Sequence, residues 1–202
     1  MGMASGDVVI GIPVLVTGIL SVYFSGEGNR IGYLFGLINY LLLAYVALAN
    51  RLHGIFFFYI LIFAPLQIKG FVTWKHNSDR RDQVKVRKFS PLHATVVIVS
   101  CLVGSLTIGG LLSLIPGQQL ALTDALSNVL SLCAEMMMIL RFREAWWVWL
   151  SNDVVDLIMW ATIELRGGNG LMIIAMTLVG MIMNIRGAIR WNKAAKRNLA
   201  NK

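Results

Sequence analysis

Arg143-Glu-Ala-Trp-Trp-Val-Trp-Leu-Ser-Asn-Asp-Val-Val-Asp-Leu-Ile-Met-Trp160 is the stretch whose reading decides the fold. Wound as a helix, it sets Trp146, Trp149, Asp153, Asp156 and Trp160 in steps of three and four, on one face. The positions between them are mostly apolar. Two carboxylates and three indoles on one stripe of an apolar helix are costly beside lipid. Such a stripe must face protein or a water-filled cavity. The stretch therefore reads as the wall of a solute pocket inside a membrane protein.

The remaining chain supports a membrane setting. Of its 202 residues, 57% are hydrophobic and only 14% are charged, with mean hydropathy +0.69. Soluble domains carry about a quarter charged residues. Met1 to Asp7 lacks the basic region and cleavage site of a secretory signal, so the first apolar segment is expected to be retained. A membrane helix needs about 20 mostly apolar residues rising 1.5 Å each. Seven stretches qualify: 8–25, 29–50, 54–74, 92–115, 120–140, 144–164 and 169–190. Turn residues mark the breaks, as in Gly26-Glu-Gly-Asn29 and Gly167-Gly-Asn-Gly170. The fold class is thus an all-α membrane protein of seven transmembrane helices.

Net charge is +8, and its placement reports orientation rather than nucleic-acid binding. With the C-terminus inside, inner segments hold fourteen of the eighteen Lys and Arg residues. Outer segments hold only Arg51 and Arg166. The excess of inner positive charge predicts an outside N-terminus and a cytoplasmic C-terminus. No nucleic-acid partner is expected. Lys69 and Arg186 lie in spans near the inner ends and are expected to snorkel to the surface.

An internal repeat emerges at the ends of two spans. Gln67-Ile-Lys-Gly-Phe-Val-Thr-Trp74 and Asn184-Ile-Arg-Gly-Ala-Ile-Arg-Trp191 share amide, Ile, base, Gly and Trp at the same positions, 117 residues apart. The offset carries spans one to three onto spans five to seven and leaves span four unmatched. Two parallel three-helix repeats joined by a linker helix (3+1+3) follow, a plan in which transporters place their site at the repeat interface. The expected organisation is a first repeat at 1–74, a basic inner loop and linker helix at 75–119, a second repeat at 120–191, and a basic cytoplasmic tail at 192–202.

Further polar residues join the pocket. Asp124, Asn128, Ser131 and Glu135 form a second stripe. Asn39 lies at mid-depth of span two, 117 residues before Asp156, while Gln67 and Asn184 stand three residues before their glycines. Indoles stack on flat heteroaromatic rings and attract cations. Carboxylates and amides hold sugar hydroxyls. A small hydroxyl-bearing aromatic cation uses every element of this lining. Nicotinamide riboside fits best; thiamine brings a thiazolium, and riboflavin is flat but neutral.

Plainer roles are set beside these. Trp147, at the inner end of its span, suits an interfacial aromatic belt. Asp153 or Asp156 could pair with Lys69 or Arg186. Glu144 suits a helix N-terminus. Gly70 and Gly187 suit close helix contact. Met136, Met137 and Met138 read as packing, and Cys101 and Cys133 as small buried hydrophobes without metal or redox spacing. No phosphate loop, zinc motif or nucleophile elbow occurs, and Asp153-x-x-Asp156 alone is weak as a metal site. No enzyme, catalytic residue, cofactor or metal is expected.

Asp124-Ala125, Leu130-Ser131, Ala134, Arg141, Glu144-Ala-Trp146-Trp-Val-Trp149 and Asp153 together resemble the PnuC family of bacterial vitamin transporters. The Gly-x-x-x-Trp endings at Gly70/Trp74 and Gly187/Trp191, and Ile158-Met-Trp160, are also similar. The resemblance implies a SWEET-like 3+1+3 fold in the bacterial inner membrane and facilitated diffusion of nicotinamide riboside. It implies trapping by a separate cytoplasmic kinase and a homo-oligomer, a trimer. It associates Trp146 and Trp149 with the substrate. Glu135 departs from the family's glutamine. Lys69 and Arg186-Gly-Ala188 replace aromatic residues around the glycines.

The sequence therefore predicts a vitamin-nucleoside transporter in a lipid bilayer. Its substrate is held by Trp146, Trp149, Asn152, Asp153, Asp156, Glu135, Ser131, Asn128, Asn39, Gln67 and Asn184. Competing readings are thiamine or riboflavin uptake, proton coupling through Glu135 and Asp153, and a membrane receptor or assembly subunit that transports nothing.

Overall fold

The computed structural model describes residues 4–49, 53–79, 83–87, 89–116, 120–167 and 171–200. Seven helices make up the described residues. They are α1 (Ala4–Gly26), α2 (Ile31–Ala49), α3, α4 (Pro91–Ser113), α5 (Ala121–Ile139), α6 (Ala145–Leu165) and α7 (Leu171–Ala200). Helix α3 is continuous and consists of His53–Phe58, a π-helical segment Tyr59–Phe63, and Ala64–His76. The seven-helix, all-α expectation holds.

Among the described residues, four helices are long and apolar enough to cross a bilayer: Phe56–His76, Pro91–Ser113, Ala121–Ile139 and Ile173–Lys196. The apolar stretches Ile10–Gly26 and Ile31–Val46 are shorter. In α6 the interruption is chemical, since Asp153, Asp156 and Glu164 break an otherwise apolar helix. Helix α4 buries only Cys101, Ser105 and Gly109, while Leu92, Val96, Leu102, Val103, Leu106 and Leu111 are exposed. Small residues inside and large aliphatic ones outside suit a helix surrounded by lipid.

Two details depart from the seven apolar runs. Pro65 lacks an amide to close a regular turn. Just before it, the Ala64 N–H reaches back five residues to the Tyr59 carbonyl, which produces the π segment. Helix α7 does not stop where its apolar run stops at Arg190 but continues to Ala200. The added residues are mainly Ala, Leu, Lys, Arg and Asn. Most of these are good helix formers, and the basic ones suit a helix C-terminus.

The chain divides into two compact units, Met1–Lys85 and Val86–Lys202. In the first, α1 ends in a Schellman motif. Gly28 (φ 72°) donates its N–H to Ser25 O at 2.9 Å and Asn29 donates to Phe24 O at 2.9 Å. The basic loop after α3 is tied to this turn, since Val84 N donates to Gly28 O at 2.9 Å. Buried Tyr33 of α2 meets Trp74 of α3 edge-on, centroids 4.8 Å apart, and lies over Gly70.

The second unit repeats these devices with other residues. Helix α5 ends in the same motif, with Arg141 (φ 68°) where a glycine is usual; Arg141 N donates to Met138 O and Phe142 N to Met137 O. Arg87 is bonded to this turn through Arg141 O (2.7 Å) and Arg143 N (3.1 Å). Burial, and then the like charge of Arg87, push the Arg141 guanidinium below its ordinary value. Trp146 of α6 meets Trp191 of α7 edge-on at 5.7 Å, over Gly187. The glycine reading thus holds: each lies where a ring occupies the space a Cβ would need.

Candidate functional site

The polar residues of α5, α6 and α7 form one belt across the second unit. Asp156 accepts at both carboxylate oxygens: Ser127 Oγ donates to Oδ1 at 2.5 Å and Asn152 Nδ2 to Oδ2 at 3.0 Å. Asn152 Oδ1 accepts from Ser131 Oγ at 3.3 Å. On the other flank of α6, Asn184 Nδ2 of α7 donates to Asp153 Oδ2 at 2.8 Å. Asn152, Asp153, Asn184 and Glu135 are all buried. The two carboxylates share one broad face of α6, and from it Asp153 reaches Asn184 of α7 while Asp156 reaches Ser127 of α5.

These partners settle one sequence alternative. Within the second unit, amides and a hydroxyl rather than Arg186 serve the two carboxylates among the described residues. A buried carboxylate with neutral donors keeps its acceptor character. Each oxygen has two lone pairs, so Asp153 and Asp156 can still accept from hydroxyls of a guest.

The remaining predicted residues fall in several places. Asn128 is exposed and bonds back along its own helix to Asp124 O and Oδ1, both at 2.9 Å, outside the belt. Trp149 is half-buried, and Trp147 is 57% exposed, as an interfacial ring should be. Trp146 is 1% exposed and packed into the α6–α7 contact; its Nε1–H has no hydrogen-bond partner among the described residues. In the first unit, Asn39 Nδ2 donates to Val14 O (2.6 Å) and Thr17 Oγ1 (3.0 Å). Gln67 is buried against Gly36. Glu144 precedes α6 without a side-chain cap bond. It instead accepts from Phe89 N at 3.2 Å and pairs with Arg143 at 2.8 Å.

Two features escaped the sequence. Ser127 belongs to the belt, and its place three residues after Asp124 was the available signal. The 117-residue offset also fails at the second helix of each unit. Tyr33 and Trp146, which play the same part, are 113 residues apart. Asn39, bonded to Thr17 of the preceding helix, and Asn152, bonded to Ser131 of its own preceding helix, stand at that same 113-residue spacing. The second unit holds four more residues between its ring and its glycine, 41 against 37.

An all-helical membrane protein that gathers carboxylates, amides and hydroxyls within its spans belongs to the class of polytopic solute transporters. The family described as "Nicotinamide mononucleotide transporter" matches residues 9–193. The chain belongs to that transporter family, so it is not an enzyme. It is 32% identical to the nicotinamide riboside transporter PnuC of Neisseria mucosa over 190 residues, covering 91% of this chain and 72% of that protein. It is 28% identical to the protein of the same name from Haemophilus influenzae over 185 residues, covering 90% and 78%. A crystal structure of "the Vitamin B3 transporter PnuC" superposes with a TM-score of 0.77 at 30% identity, covering 95% of this chain and 84% of that one.

Proposed function

We propose that this protein carries nicotinamide riboside across the membrane. Family membership supports the substrate class, and the Asp153–Asn184 and Asp156–Asn152–Ser127 belt supports the chemistry. The pyridinium suits a lining of carboxylates. Ribose hydroxyls donate to the lone pairs that Asp153 and Asp156 retain, and Asn152 and Ser131 complete the polar contacts. Trp149 supplies the stacking face. Trp146 contributes its unpartnered indole N–H while its ring holds α6 to α7. Glu135, Asn39, Gln67 and Asn184 belong to the same proposal as polar residues turned from lipid. The two units are proposed to be duplicates, supported by the paired Schellman turns and the two ring-over-glycine contacts.

Transport is facilitative, with capture of the substrate by a separate cytoplasmic kinase. The N-terminus is outside and the C-terminus cytoplasmic, on the distribution of basic residues. A homotrimer in the bacterial inner membrane follows from the family resemblance. The test is uptake of labelled nicotinamide riboside by cells making Trp149→Ala, which falls to background. Wild-type uptake by that variant removes Trp149 from the site. Excess unlabelled thiamine or riboflavin leaves uptake unchanged, and an uncoupler does so too once the kinase is present.

A further inference from the structure

The two cysteines of the chain have no motif spacing, yet the fold brings them together. Helices α4 and α5 meet along a seam of small residues. Gly104 lies against Val129, with room for a Cβ only 3.2 Å from its methyl, and Gly109 lies against Leu122 and Ala125. Position numbers rise on α4 as they fall on α5, so the helices run antiparallel. That register sets Cys101 opposite Cys133 on the facing helix. One turn along from Cys101, the buried Ser105 Oγ has no hydrogen-bond partner among the described residues. Cys101 is nearly covered and Cys133 half-buried, so the pair is approached from the Cys133 side.

We propose that Cys101 and Cys133 form a chelating dithiol site for a neutral trivalent arsenical. Both helices lie in spans, where a charged thiolate is disfavoured. A reagent that needs no thiolate therefore suits the pair. An arsonous group, R–As(OH)2, condenses with two thiols: each As–O bond breaks as an As–S bond forms, and each thiol proton leaves with hydroxide as water. Arsenic keeps its oxidation state, and reactants and product are all neutral. Two thiols facing each other across closely packed helices present the bidentate grip without separating those helices. This site is independent of the transport reading.

The test uses the full chain, purified in detergent and exposed to phenylarsine oxide, with bound arsenic read by intact mass. Wild type takes up a single equivalent, keeps it through washing with a monothiol, and releases it to a small dithiol. Cys101→Ser and Cys133→Ser each lose the label in the monothiol wash, as does the double Ala variant. Because the chain has only these two cysteines, no other thiol contributes. No uptake by wild type, release by the monothiol, or monothiol-resistant label on either single variant overturns the proposal. The wild-type comparison of monothiol with dithiol needs no variant to fold.

Discussion

Gly187→Ala tests whether Trp146 is a structural ring. A Cβ at position 187 would fall 2.5 Å from Trp146 Cη2 and Cζ3 and 2.7 Å from Cε3. Ordinary contact begins at 3.4 Å, so the indole or α7 must move by about 0.9 Å. The indole cannot swing aside freely, because Trp191 holds it edge-on at an interplanar angle of 77°. Interiors do not absorb such a shift without strain, and overpacking of this kind costs about 1–3 kcal/mol. For a chain of this size each kcal/mol lowers the melting temperature by roughly 2–4 °C, so a fall of roughly 2–12 °C is expected. Thermal unfolding in detergent measures it. In a Trp146→Leu background, which lacks the offending benzo ring, Gly187→Ala should cost much less. An unchanged melting temperature in the single variant, or equal costs in the two backgrounds, refutes the packing argument.

Four other outcomes follow from the same geometry. Asn184→Ala leaves the buried Asp153 carboxylate without its donor and should cost about 1.5–3 kcal/mol, much less in an Asp153→Ala background; a double-mutant thermal cycle reads the coupling. Ser127→Ala should destabilise the fold by about 1–3 kcal/mol through Asp156, whereas Asn128→Ala, on an exposed helix-local bond, should change stability by about 0.5 kcal/mol or less in the same assay. Glu144→Gln loses a half-exposed ion pair but keeps an acceptor for Phe89 N, so it should cost about 0–1 kcal/mol, and Glu144→Ala more. Gly28→Ala places a side chain at φ 72° and should cost about 1 kcal/mol, visible as a lower melting temperature.

Much of the fold could be read from the chain because bilayer thickness imposes one length on every span. Five of the seven stretches coincide with helices to within two residues at each end, and the first begins at 8 where α1 begins at Ala4. The seventh stops at 190, whereas α7 runs on to Ala200 because Lys193, Ala194, Ala195 and Lys196 favour a helix whether or not lipid surrounds them. The π segment was not legible, since Tyr59–Phe63 is as apolar as its neighbours and only Pro65 hinted at it. The acidic stripe of α6 was visible because helical spacing fixes which side chains share a face. Periodicity does not say which partner covers a face. Asp153 and Asp156 share theirs, yet one is met by Asn184 of α7 and the other by Ser127 of α5. The turn at Arg141 was hidden for a similar reason: a Schellman turn is expected at glycine, and here arginine adopts it.

The π segment of α3 has a consequence for anyone aligning this chain with its relatives. A widened turn stores one surplus residue and hands the helix on in its former phase, so Gln67, Gly70 and Trp74 keep the facing that a shorter, regular helix would give them. A relative lacking the bulge will therefore show a single-residue gap between positions 59 and 63, and that gap will record a change of winding rather than a lost loop.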